Sequence, residues 1–169
     1  AFTIGMAVFG DFDPSLVAPY LLAQFSGALV GSVLGWASYY QHFAATDDAN
    51  LKLAVFSTIP AIPHTLSNLI TEIIGTFVLV FGALLASAPT SSLGALDALP
   101  VGLLVIGIGL GLGGATGYAI NPARDLGPRI AHFLLPIPGK RDSDWSYSWI
   151  PVVGPIVGGL LGAYVYQLL

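Results

Sequence analysis

Residues 118–129 read Tyr-Ala-Ile-Asn-Pro-Ala-Arg-Asp-Leu-Gly-Pro-Arg, an Asn-Pro step and an arginine set in a chain otherwise nearly free of charge. Asn121 is a strong helix N-cap, and Pro122 fits the first helical position, where no amide hydrogen is needed. The stretch therefore predicts a helix that starts abruptly, with unpaired amide hydrogens and a positive dipole end at its tip. In an apolar protein such a tip has to face another protein group or a water-filled cavity. Residues 118–124 are accordingly the expected functional centre.

The surroundings are those of a membrane protein. Of 169 residues only 8% are charged and 55% are hydrophobic, with a mean hydropathy of +0.82. A soluble domain usually carries about 25% charged residues. Cysteine is absent, which excludes disulfides and thiolate chemistry. The net charge of −4 comes with no basic tract, which argues against nucleic-acid binding. The chain opens on Ala1 with no signal peptide, and it reads as a fragment.

Spans of roughly 20 apolar residues are needed to cross a bilayer. Residues 14–40, 66–88, 99–114 and 149–169 meet or approach that length, and Glu72 is the one charge among them. Loops 41–63, 88–98 and 134–148 hold most of the polar residues, including Asp47, Asp48, Lys52, Lys140, Arg141, Asp142 and Asp144. Residues 121–133, at about 1.5 Å each, reach only about 20 Å, so 115–133 reads as a re-entrant loop and half-helix.

The first and last spans resemble each other. Gly27-Ala-Leu-Val-Gly31-Ser-Val-Leu-Gly35 aligns with Gly154-Pro-Ile-Val-Gly158-Gly-Leu-Leu-Gly162. Glycine at every fourth position lets helix backbones approach closely. Ahead of these spans, Ala1 and Gly5 correspond to Ala123 and Gly127, making residues 1–10 the remainder of a first half-helix. Three crossings separate the equivalent points, and an odd number inverts one unit relative to the other. Inverted repeats meeting at broken helices are a way of building a transport site.

With these residues in view, the chain resembles the aquaporin superfamily (major intrinsic proteins), specifically its glycerol facilitators, or aquaglyceroporins. The resemblance covers nearly the whole chain and rests on Asn121-Pro122-Ala123-Arg124, on Asp125 directly after, and on Pro19, Gln24 and Gly27 in the first span. It implies an all-α membrane protein, a right-handed helical bundle of inverted repeats with re-entrant half-helices, forming one channel domain over 1–169 with the family's first two spans and first Asn-Pro absent. It further implies a passive, non-enzymatic channel for glycerol and other small neutral solutes with water, excluding ions and protons, as a homotetramer in the plasma membrane without cofactor.

Residue by residue, the resemblance places the Asn121 amide at the channel midpoint and Arg124 at the narrow constriction, donating a fork of hydrogen bonds to adjacent hydroxyls. An arginine near membrane depth is costly unless paired or wet, which independently marks it as functional. Tyr118 matches an aromatic position there. Gly109 matches a position that makes room for a wide substrate, while Gly107–Gly114 reads equally well as a close-packing helix face. Val105 and Ile120 are candidates for the apolar wall. Glu72 is expected to accept amide hydrogens from loop 115–120 and so to turn the carbonyls of Gly117, Tyr118 and Ala119 toward the pore. Pro122 and Ala123 support the helix start, and Asp125 and Arg129, four residues apart, are expected to pair with each other or with loop backbone. His42, His64 and His132 show no metal spacing.

Two rivals share part of this pattern. A water-selective channel would conduct water but not glycerol. A coupled secondary transporter also uses inverted repeats but needs an ionisable coupling site besides Glu72. A purely adhesive membrane role would leave Arg124 without a task. The resemblance puts loops 41–63 and 134–148 outside. They carry Lys52, Lys140 and Arg141, and loop 88–98 has no basic residue, so the positive-inside rule favours the opposite orientation.

Overall fold

The computed structural model describes residues 1–86, 92 and 94–169. Among them there is no strand, and eight α-helices follow in order: α1 (Phe2–Phe9), α2 (Val17–Ser38), α3 (Tyr40–Ala45), α4 (Ala49–Ala54), α5 (Thr65–Ala86), α6 (Leu99–Thr116), α7 (Pro122–Leu134) and α8 (Ile150–Gln167). Short 3₁₀ turns at Pro14–Leu16 and Gly94–Ala98 lead into α2 and α6. Among the described residues, four helical segments are long and apolar enough to cross a membrane: Pro14–Ser38, Thr65–Ala86, Leu96–Thr116 and Ile150–Gln167. The chain is a multi-pass, all-α membrane protein. The last residues of the span expected over 66–88 and most of loop 88–98 lie outside the described residues.

Loop 41–63 is more ordered than its polar composition suggests. It includes most of α3 and all of α4, the latter N-capped by Asp48, whose carboxylate accepts from the amides of Asn50 (2.7 Å) and Leu51 (3.3 Å). The first span stops at Ser38 because the chain bends at Tyr39 and restarts as α3.

Packing along α8 and at the two half-helices follows the glycines, whereas Gly27, Gly31 and Gly35 of α2, expected to let helix backbones approach closely, have nothing within 4 Å of a Cβ position. α8 lies along α5, and a Cβ on Gly158 would overlap the backbone carbonyl of Ile73, while one on Gly162 would sit 3.0 Å from the Phe77 carbonyl oxygen. The two short helices cross between the repeats. α1 packs on α8, with a Cβ on Gly5 falling 2.9 Å from the Gly159 carbonyl oxygen, and α7 packs on α2, with a Cβ on Gly127 falling 2.9 Å from Ala28 Cβ. Each half-helix thus leans on the long helix of the other repeat.

Candidate functional site

The site is assembled at the start of α7. Asn121 takes an extended conformation (φ −160°, ψ 119°), and its side-chain oxygen accepts from the Ala123 amide at 2.9 Å. Pro122 and Ala123 are buried, whereas Asn121 is half-buried and keeps one side accessible. Ahead of it, the chain passes through three left-handed residues: Gly117 (φ 78°), Tyr118 (φ 42°) and Ile120 (φ 43°). Glycine takes this conformation freely, but for a β-branched residue such as Ile120 it is a genuine outlier. Something must hold it.

That support is Glu72 of α5, which has no exposed surface. Its Oε1 accepts from Thr116 Oγ1 (2.6 Å) and the Ala119 amide (3.0 Å), and its Oε2 accepts from the Ile120 amide (2.8 Å). A carboxylate buried among three donors is satisfied, and in return it fixes both ends of the strained turn. Ala119 has no exposed surface, and Ile120 is 8% exposed, with its Cγ2 3.1 Å from where a Gly75 Cβ would be.

Tyr118 swings the other way, onto α6. A Cβ on Gly109 would meet its ring at 3.1 Å, and one on Gly113 at 2.8 Å. Gly109 and Gly113 therefore form the seat of the tyrosine, while Gly107, Gly111 and Gly114 have nothing within 4 Å of a Cβ position. Val105, one turn before Gly109, is half-buried. Tyr118 itself remains 37% exposed.

Arg124 is exposed, and its Nη1 donates to the Phe56 carbonyl oxygen at 3.3 Å. It borders a cavity of about 390 Å³ shared with Phe56, Trp36 and Pro128. Asn121 borders a separate, smaller one of about 180 Å³ with Ala1 and Gln24, where the two short helices approach each other.

Behind Arg124 lies a buried ionic cluster. Asp125 and Arg129 are both fully buried and bonded through Nε–Oδ1 at 2.8 Å and Nη2–Oδ2 at 3.1 Å. Arg129 spends its remaining donors on the carbonyls of Ser143 (2.7 Å), Asp144 (3.2 Å) and Thr58 (2.9 Å). Asp125 Oδ2 also accepts from both the amide (2.8 Å) and the hydroxyl (2.6 Å) of Thr58. A buried ion pair is tolerated only with such complete partnering.

The same cluster ties the two long loops together. Lys52, 4% exposed, donates to the Pro138 carbonyl, and Arg141 Nη1 donates to Asn50 Oδ1 at 2.6 Å. Lys140 closes the far end of α7 by donating to the carbonyls of His132 (2.7 Å), Phe133 (2.8 Å) and Leu135 (2.7 Å), where a cation is favoured. His132 is fully buried, and its Nδ1 lies 2.9 Å from Ser143 Oγ. Burial, reinforced by Lys140 and Arg129, pushes its pKa down to about 4. His42 and His64 are not part of this cluster, and the described residues contain no group of His, Cys, Asp and Glu that could hold a metal ion.

Sequence reasoning anticipated the Glu72 contacts, the Asn121 cap and the Asp125–Arg129 pair, but not the part of Thr58, the Phe56 carbonyl or the buried lysine Lys52. Thr58 lies 67 residues before its partner Asp125, in a stretch without periodicity, and a backbone carbonyl leaves no mark in a sequence.

Comparison with known proteins matches these features to a group. The family model for major intrinsic proteins matches residues 1–166. The chain is 57% identical over 169 residues to a probable glycerol uptake facilitator protein of Thermotoga maritima, covering all of this chain and 72% of that one. It is 55% identical over 167 residues to the glycerol uptake facilitator protein of Bacillus subtilis, covering 99% of this chain and 61% of that one. Among solved structures, the aquaglyceroporin of Plasmodium falciparum superposes with a TM-score of 0.85 at 27% identity, over 98% of this chain and 69% of its own length. With its capped half-helix, interleaved repeats and glycine-packed last span, the chain belongs to the major intrinsic protein family.

Proposed function

We propose that this chain forms the selective part of a passive channel that conducts glycerol and similar small neutral solutes, with water, across the plasma membrane and excludes ions and protons. The observation that carries this reading is the state of Arg124: exposed at the start of a half-helix and held from behind by the Phe56 carbonyl. The neighbouring carboxylate of Asp125 is turned away, buried against Arg129 and Thr58. The accessible charge at this point is therefore positive, and the half-helix tip adds roughly half a charge more. Such a field repels cations and protons without holding a neutral solute.

In this reading Arg124 and the Asn121 amide donate to the hydroxyls of a polyol. Carbonyls of Gly117, Tyr118 and Ala119, turned by Glu72, accept from them. Tyr118, seated on Gly109, with Val105 and Ile120, faces the C–H side, and Pro122 and Ala123 hold the tip in place. The names of the relatives from Thermotoga and Bacillus, glycerol uptake facilitators, support the choice of solute. The subunits assemble as a homotetramer, each with its own pore.

Stopped-flow light scattering on vesicles containing the intact protein tests the proposal. Glycerol entry should be much faster than into empty vesicles and only weakly temperature-dependent. Fast water movement with glycerol entry at the empty-vesicle rate would make the channel water-selective, and flux that follows a proton or sodium gradient would make it a coupled transporter.

A further inference from the structure

Resting on the channel reading above, we propose that Thr58 is a positioning residue that sets the solute selectivity of Arg124 from the opposite loop. Arg124 has a single described hydrogen-bond partner, the Phe56 carbonyl. That carbonyl belongs to a loop, and a loop carbonyl orients a guanidinium only if the loop itself is held. Two residues on, Thr58 is gripped on three sides by α7. Its amide and hydroxyl donate to Asp125 Oδ2 at 2.8 and 2.6 Å, and its carbonyl accepts from Arg129 Nη2 at 2.9 Å. Asp125 directly follows Arg124 on α7, so the two residues place opposite ends of the same three-residue segment, 56–58. The circuit closes on itself: Asp125 fixes Thr58, Thr58 fixes the Phe56 carbonyl, and that carbonyl fixes Arg124.

Thr58 touches the second edge of the site as well. A Cβ on Gly117 would lie 3.3 Å from both Cβ and Cγ2 of Thr58. The threonine therefore packs beneath the first residue of the left-handed turn whose amides Glu72 holds. Thr58 itself is 4% exposed, so it acts on a permeating solute through Arg124 and the turn, and touches no solute itself. Its two functional halves are separable, because the hydroxyl serves Asp125 and the methyl packs on Gly117.

The test uses the intact protein in vesicles, with the ratio of glycerol to water permeability as the readout. A charge-assisted hydrogen bond lost in a buried place is worth roughly tenfold in an equilibrium, so Thr58→Val should lower the ratio severalfold. Thr58→Ser, which keeps the hydroxyl, should restore most of it. In an Arg124→Ala background, Thr58→Val should change the ratio no further, since the residue its hydroxyl acts through is gone and valine keeps the methyl that packs on Gly117. An unchanged ratio in Thr58→Val, an equal loss in Thr58→Ser, or an additive loss in the double variant would each overturn the proposal. Should the valine variant not fold, amide hydrogen exchange on the unaltered protein decides: the Thr58 amide should be protected as strongly as the core of α7, and exchange at the rate of an open loop would refute the anchoring. Wild-type vesicles that admit glycerol no faster than empty ones would instead refute the channel reading itself, independently of Thr58.

Discussion

Glu72→Gln is the substitution that most directly asks whether the turn before α7 is imposed from outside. The replacement keeps size and shape, and exchanges one acceptor oxygen for an NH₂ donor. In the better of its two settings the amide oxygen stays with Thr116 Oγ1 and the Ala119 amide, and the NH₂ faces the Ile120 amide, now at a donor–donor contact in place of a 2.8 Å hydrogen bond. A buried amide left without acceptor costs about 1–3 kcal/mol, and two bonds that lose their charged acceptor weaken by about 1 kcal/mol each. The sum is roughly 3–5 kcal/mol against the observed turn. Backbone strain works in the same direction, because Tyr118 and Ile120 at φ 42° and 43° each add about 1–3 kcal/mol that the carboxylate offsets.

A change of 3 kcal/mol alters the ratio of ordered to relaxed turn by more than about a hundredfold. In the Gln variant the turn should therefore relax, Tyr118 should leave its seat on Gly109, and glycerol permeability per protein should fall at least about tenfold, with a lower thermal midpoint. Stopped-flow permeability and a thermal unfolding scan in detergent measure both. A variant that conducts at the wild-type rate with an unchanged midpoint would refute the claim that Glu72 holds the turn. A role in proton relay makes a different forecast, glycerol flux in the wild type that follows an imposed pH gradient and loses that response in Glu72→Gln.

Gly158→Ala should prevent assembly of the α5–α8 pair, since the added methyl meets the Ile73 backbone, which has no rotamer to give; recovery of a monodisperse protein with a wild-type midpoint would contradict this. Asp125→Asn should destabilise by about 3–5 kcal/mol, because it strands Arg129 with no exposed surface and no counter-charge; thermal unfolding measures it, and a shift within error would show the pair to be dispensable. Burial pushes the pKa of His132 down from its ordinary 6.5 to about 4, so between these values the unfolded chain binds a proton that the folded one does not. Its contribution is complete above about pH 6.5 and declines as the pH falls toward 4, a decline that His132→Asn should flatten in a series of melts across that range.

The parts of this structure that are legible in the sequence are those written in local patterns. Apolar length gave the spans, Asn121-Pro122 gave the helix start, and the four-residue spacing of Asp125 and Arg129 gave their bond, because all three depend on neighbours within a turn or two. The glycine stripe of the last span was legible as well, and its purpose became concrete once Gly158 was found against Ile73. Loop 41–63 was not legible. It read only as a loop holding polar residues, whereas Lys52 is 4% exposed and Thr58 equally buried, because both are consumed by backbone carbonyls and a carboxylate far away in sequence. Gly109 shows the same limit in reverse. Its spacing was compatible with pore width or with helix packing, and what occupies the space is the ring of Tyr118, a contact that spacing along one helix cannot reveal.

The two half-helices also show how a duplicated fold acquires a one-sided function. Gly5 on α1 and Gly127 on α7 perform the same task, each admitting the long helix of the other repeat to van der Waals contact. Packing alone thus demands only a small residue at that position, and it leaves the remaining faces free to diverge. They have diverged completely: α1 contains no charge over Phe2–Phe9, whereas α7 carries Arg124, Asp125 and Arg129. Charges on a re-entrant helix are affordable only where other groups meet them, and α7 is the half-helix whose partners are supplied, by residues 56–58 on one side and 143–144 on the other. The loops that meet α7 thereby become the condition for placing a directional cation there. If Arg124 sets selectivity as proposed above, changes in loop 41–63, far from Asn121 in sequence, should alter it more than equally large changes on α1.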